Sequence, residues 1–106
     1  MLDNRTAFKM YIKDGCPFCD KAKDVILNEL KCSLHSIDVT KDLNLREMII
    51  EDTGQKTVPV IFLGDEFIGG CDDLVKLSES SNFRLKAIRE EVLILREEVS
   101  RLRRSL

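Results

Sequence analysis

A β-favouring, largely apolar run from Ala7 to Ile12 stops at Asp14-Gly15, and a helical pattern opens almost at once on Pro17. Ala22, Val25, Ile26 and Leu30 then recur at helical spacing. Proline is suited to a first helical turn, where its missing N–H would have been unpaired anyway. A buried strand, a turn and a crossover helix in that order commit the chain to a parallel strand pair. They also place Cys16, the first residue of Cys16-Pro17-Phe18-Cys19, at the junction of strand and helix.

That position has a chemical meaning. Cysteine attacks only as the thiolate, and the unpaired N–H groups and positive dipole end of a helix N-terminus favour an anion there. Lys13 and Lys21 add positive charge nearby, while Asp14 opposes it. Cys19 lies one helical turn further in, within reach of Cys16 but more shielded, which suits a resolving thiol. Cys16 is therefore the expected nucleophile of a redox pair. Two inert core thiols are the bland alternative, and a metal site is the other. Cys16, Cys19, Cys32 and His35 read as C-x2-C-x12-C-x2-H, an acceptable zinc spacing. If residues 17–30 form one helix, however, a rise of about 1.5 Å per residue carries Cys32 roughly 20 Å from Cys16, too far for four ligands to converge.

Downstream, Ser33 to Val39 reads as a short strand and Leu43 to Ile50 as a second helix ending near Gly54. Val58 to Leu63 is β-rich, Gly64-Asp65 is a hairpin signal, and Glu66 to Ile68 is its returning strand. Gly69-Gly70 breaks that strand before Leu74, Val75 and Leu77 restart helical spacing. The order β-α-β-α-β-β-α predicts an α/β, thioredoxin-like fold: a four-stranded mixed sheet flanked by helices, plus a long C-terminal helix.

A chain of 106 residues, 43% hydrophobic, supports one compact core and not two. Its net charge of -2 gives no long-range pull toward nucleic acid or an anionic membrane. No apolar run approaches the roughly 20 residues of a spanning helix, and Met1 to Ala7 lacks a basic stretch leading into an apolar one. The expected location is cytoplasmic, where a tight cysteine pair points to redox or metal chemistry rather than to a disulfide framework.

Three motifs in sequence order, Cys16-Pro17-Phe18-Cys19, Thr57-Val58-Pro59 and Gly69-Gly70-Cys71-Asp72-Asp73-Leu74, closely resemble the dithiol glutaredoxin family over about residues 7–80. The resemblance implies a glutathione-dependent thiol–disulfide oxidoreductase that reduces protein disulfides and glutathione mixed disulfides through Cys16, with Cys19 resolving. It implies a cis Pro59 that turns the Val58 backbone toward the glutathione cysteinyl unit. Lys13 and Gln55 would hold the glycine carboxylate. The Cys71 backbone and the Asp72 carboxylate would hold the γ-glutamyl end, and Gly70 would permit close backbone approach. Glutathione, with carboxylates at both ends and one ammonium for Asp72 to meet, fits such a groove. A solvated Lys13 and an N-capping Asp72 are the bland readings of two of these residues. Phe18 stands where the family often has tyrosine, and Cys71 adds a thiol beside the groove. The dithiol form and the lack of a Cys-Gly-Phe-Ser sequence point away from the family's iron–sulfur carriers, and no metal is expected. Alternatives still open are a metal or iron–sulfur binding module and a redox-fold interaction protein acting through its C-terminal helix. The sequence leaves the protein target open among ribonucleotide reductase, a glutathionylated pool and one dedicated partner.

Residues 1–81 are expected to form this domain and 82–106 a C-terminal helix. Leu85, Ile88, Val92, Leu95, Val99, Leu102 and Leu106 alternate spacings of three and four, a heptad seam with Leu85 at position a. Valines at a and leucines at d predict a parallel two-stranded coiled coil, and hence a homodimer, over residues 83–106. Glu91 and Glu98 at g would face Arg96 and Arg103 at e of the partner, whereas Arg84 facing Arg89 opposes the pairing. The competing arrangement lays this helix along its own domain through Phe83, Leu93 and Ile94.

Overall fold

The computed structural model describes residues 5–105. Residues 1–4 and Leu106, the last position of the expected heptad seam, lie outside them. Strand β1 (Phe8–Ile12) leads into helix α1 (Pro17–Asp24), which continues as a single π-helical stretch over Val25–Glu29. Then come β2 (Leu34–Asp38), α2 (Leu43–Thr53), β3 (Val60–Leu63), β4 (Glu66–Gly69), α3 (Cys71–Ser78) and α4 (Ser81–Ser105). The four strands form one mixed sheet in the order β2-β1-β3-β4. The β1–β2 pair is parallel, and β1–β3 and β3–β4 are antiparallel, the arrangement expected of a thioredoxin-like fold.

Alternation along the central strands sorts side chains to two faces. Phe8, Met10, Ile61 and Leu63 join Ala22 and Ile26 of the first helix, Cys71 and Leu74 of α3, and Phe83, Ala87 and Ile94 of α4 in the main core. Tyr11, Val60 and Phe62 point the other way and meet Ile49 and Leu45 of α2. Local chemistry fixes the helix ends. Asp42 caps α2 by accepting from Leu45 N at 3.1 Å, and Gly54 ends that helix in the left-handed region at φ 74°. Gly69 needs its missing side chain: at φ 125° a Cβ would lie 2.3 Å from an Asp73 carboxylate oxygen. The same carboxylate accepts from Gly70 N at 3.0 Å, tying off the start of α3.

Helix α4 seals the base of the sheet, the end opposite Cys16. The starts of β1 and β2 and the β3–β4 turn all lie at this end. The Phe83 ring sits 6.4 Å from that of Phe8. The Glu91 carboxylate accepts from Ser33 N at 2.8 Å and from Ser33 Oγ at 2.6 Å, and Ser33 Oγ in turn accepts from Ala7 N at 2.8 Å. Lys86 pairs with Glu66 and Arg5 with Glu97 across the same base. Of the residues expected to fasten this helix to its own domain, Phe83 and Ile94 are buried and Leu93 is exposed. No helix among the described residues is long and apolar enough to cross a membrane.

This packing predicts an asymmetry between two large apolar residues of α4. Phe83→Ala should lower unfolding free energy by about 3–5 kcal/mol, through lost burial and the cavity left against Phe8. Leu93→Ala should stay within about 0.5 kcal/mol. Urea denaturation of the two variants measures the difference.

Candidate active site

The base-to-tip direction of β1 delivers Lys13 and the Asp14-Gly15 turn to the start of α1. Gly15 adopts φ 69° there, a left-handed conformation natural to glycine. Cys16 is the N-cap of α1 in an extended conformation, with Pro17 in the first turn. Its Sγ accepts from Cys19 N at 3.2 Å, so the sulfur takes the place that a serine or aspartate oxygen fills at an ordinary helix start. Cys16 is half-buried, and Cys19 is buried. Burial, followed by the hydrogen bond and charge of Cys16, pushes the Cys19 thiol up to about 12, against the lowering effects of the Lys13 backbone and the Lys23 charge. Cys19 thus rests as a neutral thiol near pH 7.

The Val58–Pro59 peptide bond is cis. The Val58 carbonyl faces Cys16, with Sγ to O at 4.0 Å. Gln55 braces this loop: its side-chain amide donates to Thr57 O at 3.0 Å and to Pro59 O at 2.8 Å. Both N–H donors of the amide point at the loop's own carbonyls, and only its oxygen, an acceptor, is left for a ligand.

A groove of about 580 Å³ runs past these elements, lined by Lys13, Phe18, Gln55, Lys56, Thr57, Val58, Pro59, Gly70, Cys71, Asp72 and Asp73. Its size is ordinary for a small-molecule site. Every residue that the sequence placed around glutathione therefore lines one groove, although they come from three separate stretches of chain. At Gly70 a Cβ would meet only ordinary contacts, 3.5 Å from the Gln55 amide nitrogen. The position that requires glycine is its neighbour Gly69. Cys71 is buried in the wall, and its thiol is raised, first by burial and then by the charges of Asp72 and Cys16, with Lys21 opposing. Lys56 and Asp73 belong to the lining as well. Asp73 belongs to the third motif and Lys56 precedes Thr57-Val58-Pro59, and that placement is the only sequence signal either carries.

The zinc-like spacing separates in space. Cys32 lies at the base, its Sγ 3.5 Å from Leu30 O and 3.9 Å from Ala87 O, while Cys16 and Cys19 lie at the tip. Among the described residues no three His, Cys, Asp or Glu side chains gather where one metal ion could be held.

The glutaredoxin family model matches residues 8–68. Human glutaredoxin-1 is 38% identical over 87 residues, an alignment covering 74% of this chain and 81% of the relative. Glutaredoxin 3 of Escherichia coli K12 is 38% identical over 69 residues, covering 65% of this chain and 82% of the relative. The crystal structure of a wheat glutaredoxin superposes with a TM-score of 0.72 at 27% identity, covering 80% of this chain and 84% of that one. With the first cysteine of a close pair capping a helix, a cis-proline beside it and a matched family model over more than half its length, the chain belongs to the glutaredoxin family.

Proposed function

We propose that this glutaredoxin is a glutathione-dependent thiol–disulfide oxidoreductase of the cytoplasm, acting on protein disulfides and on glutathionylated proteins through Cys16. The observation that carries the reading is the half-buried sulfur at the tip of α1, opening beside a groove that bears both signs of charge. Lys13 and Lys56 supply cations to that groove, and the first turn of α3 supplies Asp72 and Asp73. Glutathione, an extended tripeptide with two carboxylates and one ammonium, has matching charges. Lys13 holds a carboxylate and Asp72 the ammonium. Gln55 keeps the cis-proline loop in the shape that presents the Val58 backbone.

In the monothiol route the Cys16 thiolate attacks the glutathione sulfur of a mixed disulfide. A Cys16–glutathione S–S bond forms, and the substrate S–S bond breaks. The substrate leaves as a thiolate and takes a proton from water. A second glutathione thiolate then attacks the glutathione sulfur of the adduct, releasing Cys16 thiolate and glutathione disulfide. With a protein disulfide, the Cys16 thiolate attacks one substrate sulfur: a mixed disulfide forms, the substrate S–S bond breaks, and the other substrate sulfur leaves as a thiolate that takes a proton from water. Cys19 then gives up its proton to water and attacks the Cys16 sulfur, which breaks the bond from Cys16 to the substrate, releases that substrate sulfur as a thiolate and leaves a Cys16–Cys19 disulfide for two glutathione molecules to reduce.

Two outcomes follow from this division of labour. Cys16→Ser should abolish turnover of both substrate classes, by about three orders of magnitude or more. Cys19→Ser should keep reduction of glutathione mixed disulfides and lose most protein-disulfide reduction. Coupled assays on both substrates decide the matter, and activity surviving in Cys16→Ser would refute the assignment. In the groove, Asp72→Ala should raise the KM for glutathione about fivefold, the scale of one solvent-exposed ion pair. The rate with a small dithiol reductant that lacks carboxylates and ammonium should not change. Equal loss with both reductants would mean that Asp72 acts on the fold and not on glutathione.

A further inference from the structure

Helix α4 carries two apolar faces, and its own domain covers one. Residues step by about 100° around a helix, so Phe83, Ala87, Glu91 and Ile94 share the face that seals the base of the sheet. Leu85, Ile88, Val92, Leu95, Val99 and Leu102 form a second stripe roughly 110° away, each between 45% and 64% exposed. It contains no charged residue, spans the length of the helix and meets no part of its own chain's core. A contiguous exposed stripe of this kind marks an interaction surface rather than scattered surface apolarity.

We infer that this stripe is the dimer interface for a second copy of the chain, with the two α4 helices parallel and in register. Charge decides the partner and its direction. Arg89, Arg96 and Arg103 run down one flank of the stripe, and Glu91 and Glu98 down the other. In a parallel pair each flank faces the opposite flank of the partner, bringing Glu98 to Arg103 of the second copy. An antiparallel pair would set arginine against arginine and glutamate against glutamate. The one repulsive parallel pair, Arg84 against Arg89, is eased because the Arg84 guanidinium is drawn toward its own domain, donating to Glu29 O at 3.3 Å. Glu91 is likewise committed to Ser33, so Glu98 with Arg103 and the avoided arginine column set the direction.

Three heptads alone make a marginal coiled coil, since each free helix must be ordered on pairing. Here the cost falls on folding instead, because Phe83, Ala87 and Ile94 have already fixed the helix on its domain. A two-fold axis along the seam sends the two domains to opposite flanks, since each domain lies roughly 110° from its own seam. Both grooves, at the far end of each sheet from α4, stay open. The dimer presents two independent sites.

Light scattering coupled to gel filtration on the full chain at high micromolar concentration should give about twice the 12.2 kDa of one chain. Leu95→Glu with Val99→Glu should return the mass to one chain with turnover per chain unchanged. In a chain also carrying Cys16→Ser, Val99→Cys should form an intermolecular disulfide on oxidation, because position a meets its own counterpart only in the parallel register. A single-chain mass for the unmodified protein would overturn the inference. So would a dimer that survives the double substitution, and a dimer in which Cys at position 99 fails to cross-link would overturn the parallel pairing.

Discussion

The hydrogen bond from Cys19 N to Cys16 Sγ, at 3.2 Å, is the contact on which the rest of the arrangement depends. It makes a sulfur the cap of a helix, so the reactive atom is positioned by the backbone order that starts α1. Everything needed to hold that cap is local or one strand away. The left-handed Gly15 turns the chain, and Pro17 removes a donor that would otherwise be unpaired. The cis Val58–Pro59 bond brings a second backbone segment beside the sulfur from β3, the antiparallel neighbour of β1. The partner thiol, three residues further along, is kept neutral by burial.

Parts of this were legible in the sequence because their causes are short-range. Asp14-Gly15, Pro17 and the Gly64-Asp65 hairpin each act within a few residues, and the structure follows them. The π-helical stretch over Val25–Glu29 was not legible. Its residues keep a helical apolar spacing, and the wider turn closes through Leu30 N to Val25 O at 2.8 Å, a backbone choice with no side-chain signature. Nor did the motif distinguish Gly69 from Gly70. The demand for glycine at Gly69 comes from the Asp73 carboxylate folding back over it, and a pair of adjacent glycines does not show which one is crowded. Gln55 is similar. Its residue type suggests a ligand donor, but the carbonyls of Thr57 and Pro59 take both donors once the cis turn forms.

The C-terminal helix shows how two periodic signals can share one segment. The heptad seam is visible because leucine, isoleucine and valine repeat there without interruption. The inward face is carried by Phe83, Ala87 and Ile94, too sparse to stand out, and by Glu91, whose polar role depends on Ser33 fifty-eight residues away. A helix fixed at the base, away from the dithiol, can be joined to another chain without disturbing the groove. The two ends of the sheet therefore serve separate purposes, chemistry at one and packing at the other.

On the proposed mechanism Cys16 alone among the four cysteines exchanges with glutathione. The most direct measurement is to react the Cys19→Ser chain with glutathione disulfide and map the adduct by peptide mass spectrometry under native conditions. One glutathione per chain is expected, attached to Cys16, with Cys32 and Cys71 unmodified because burial keeps both as neutral thiols. An adduct on Cys71, or none on Cys16, would contradict it.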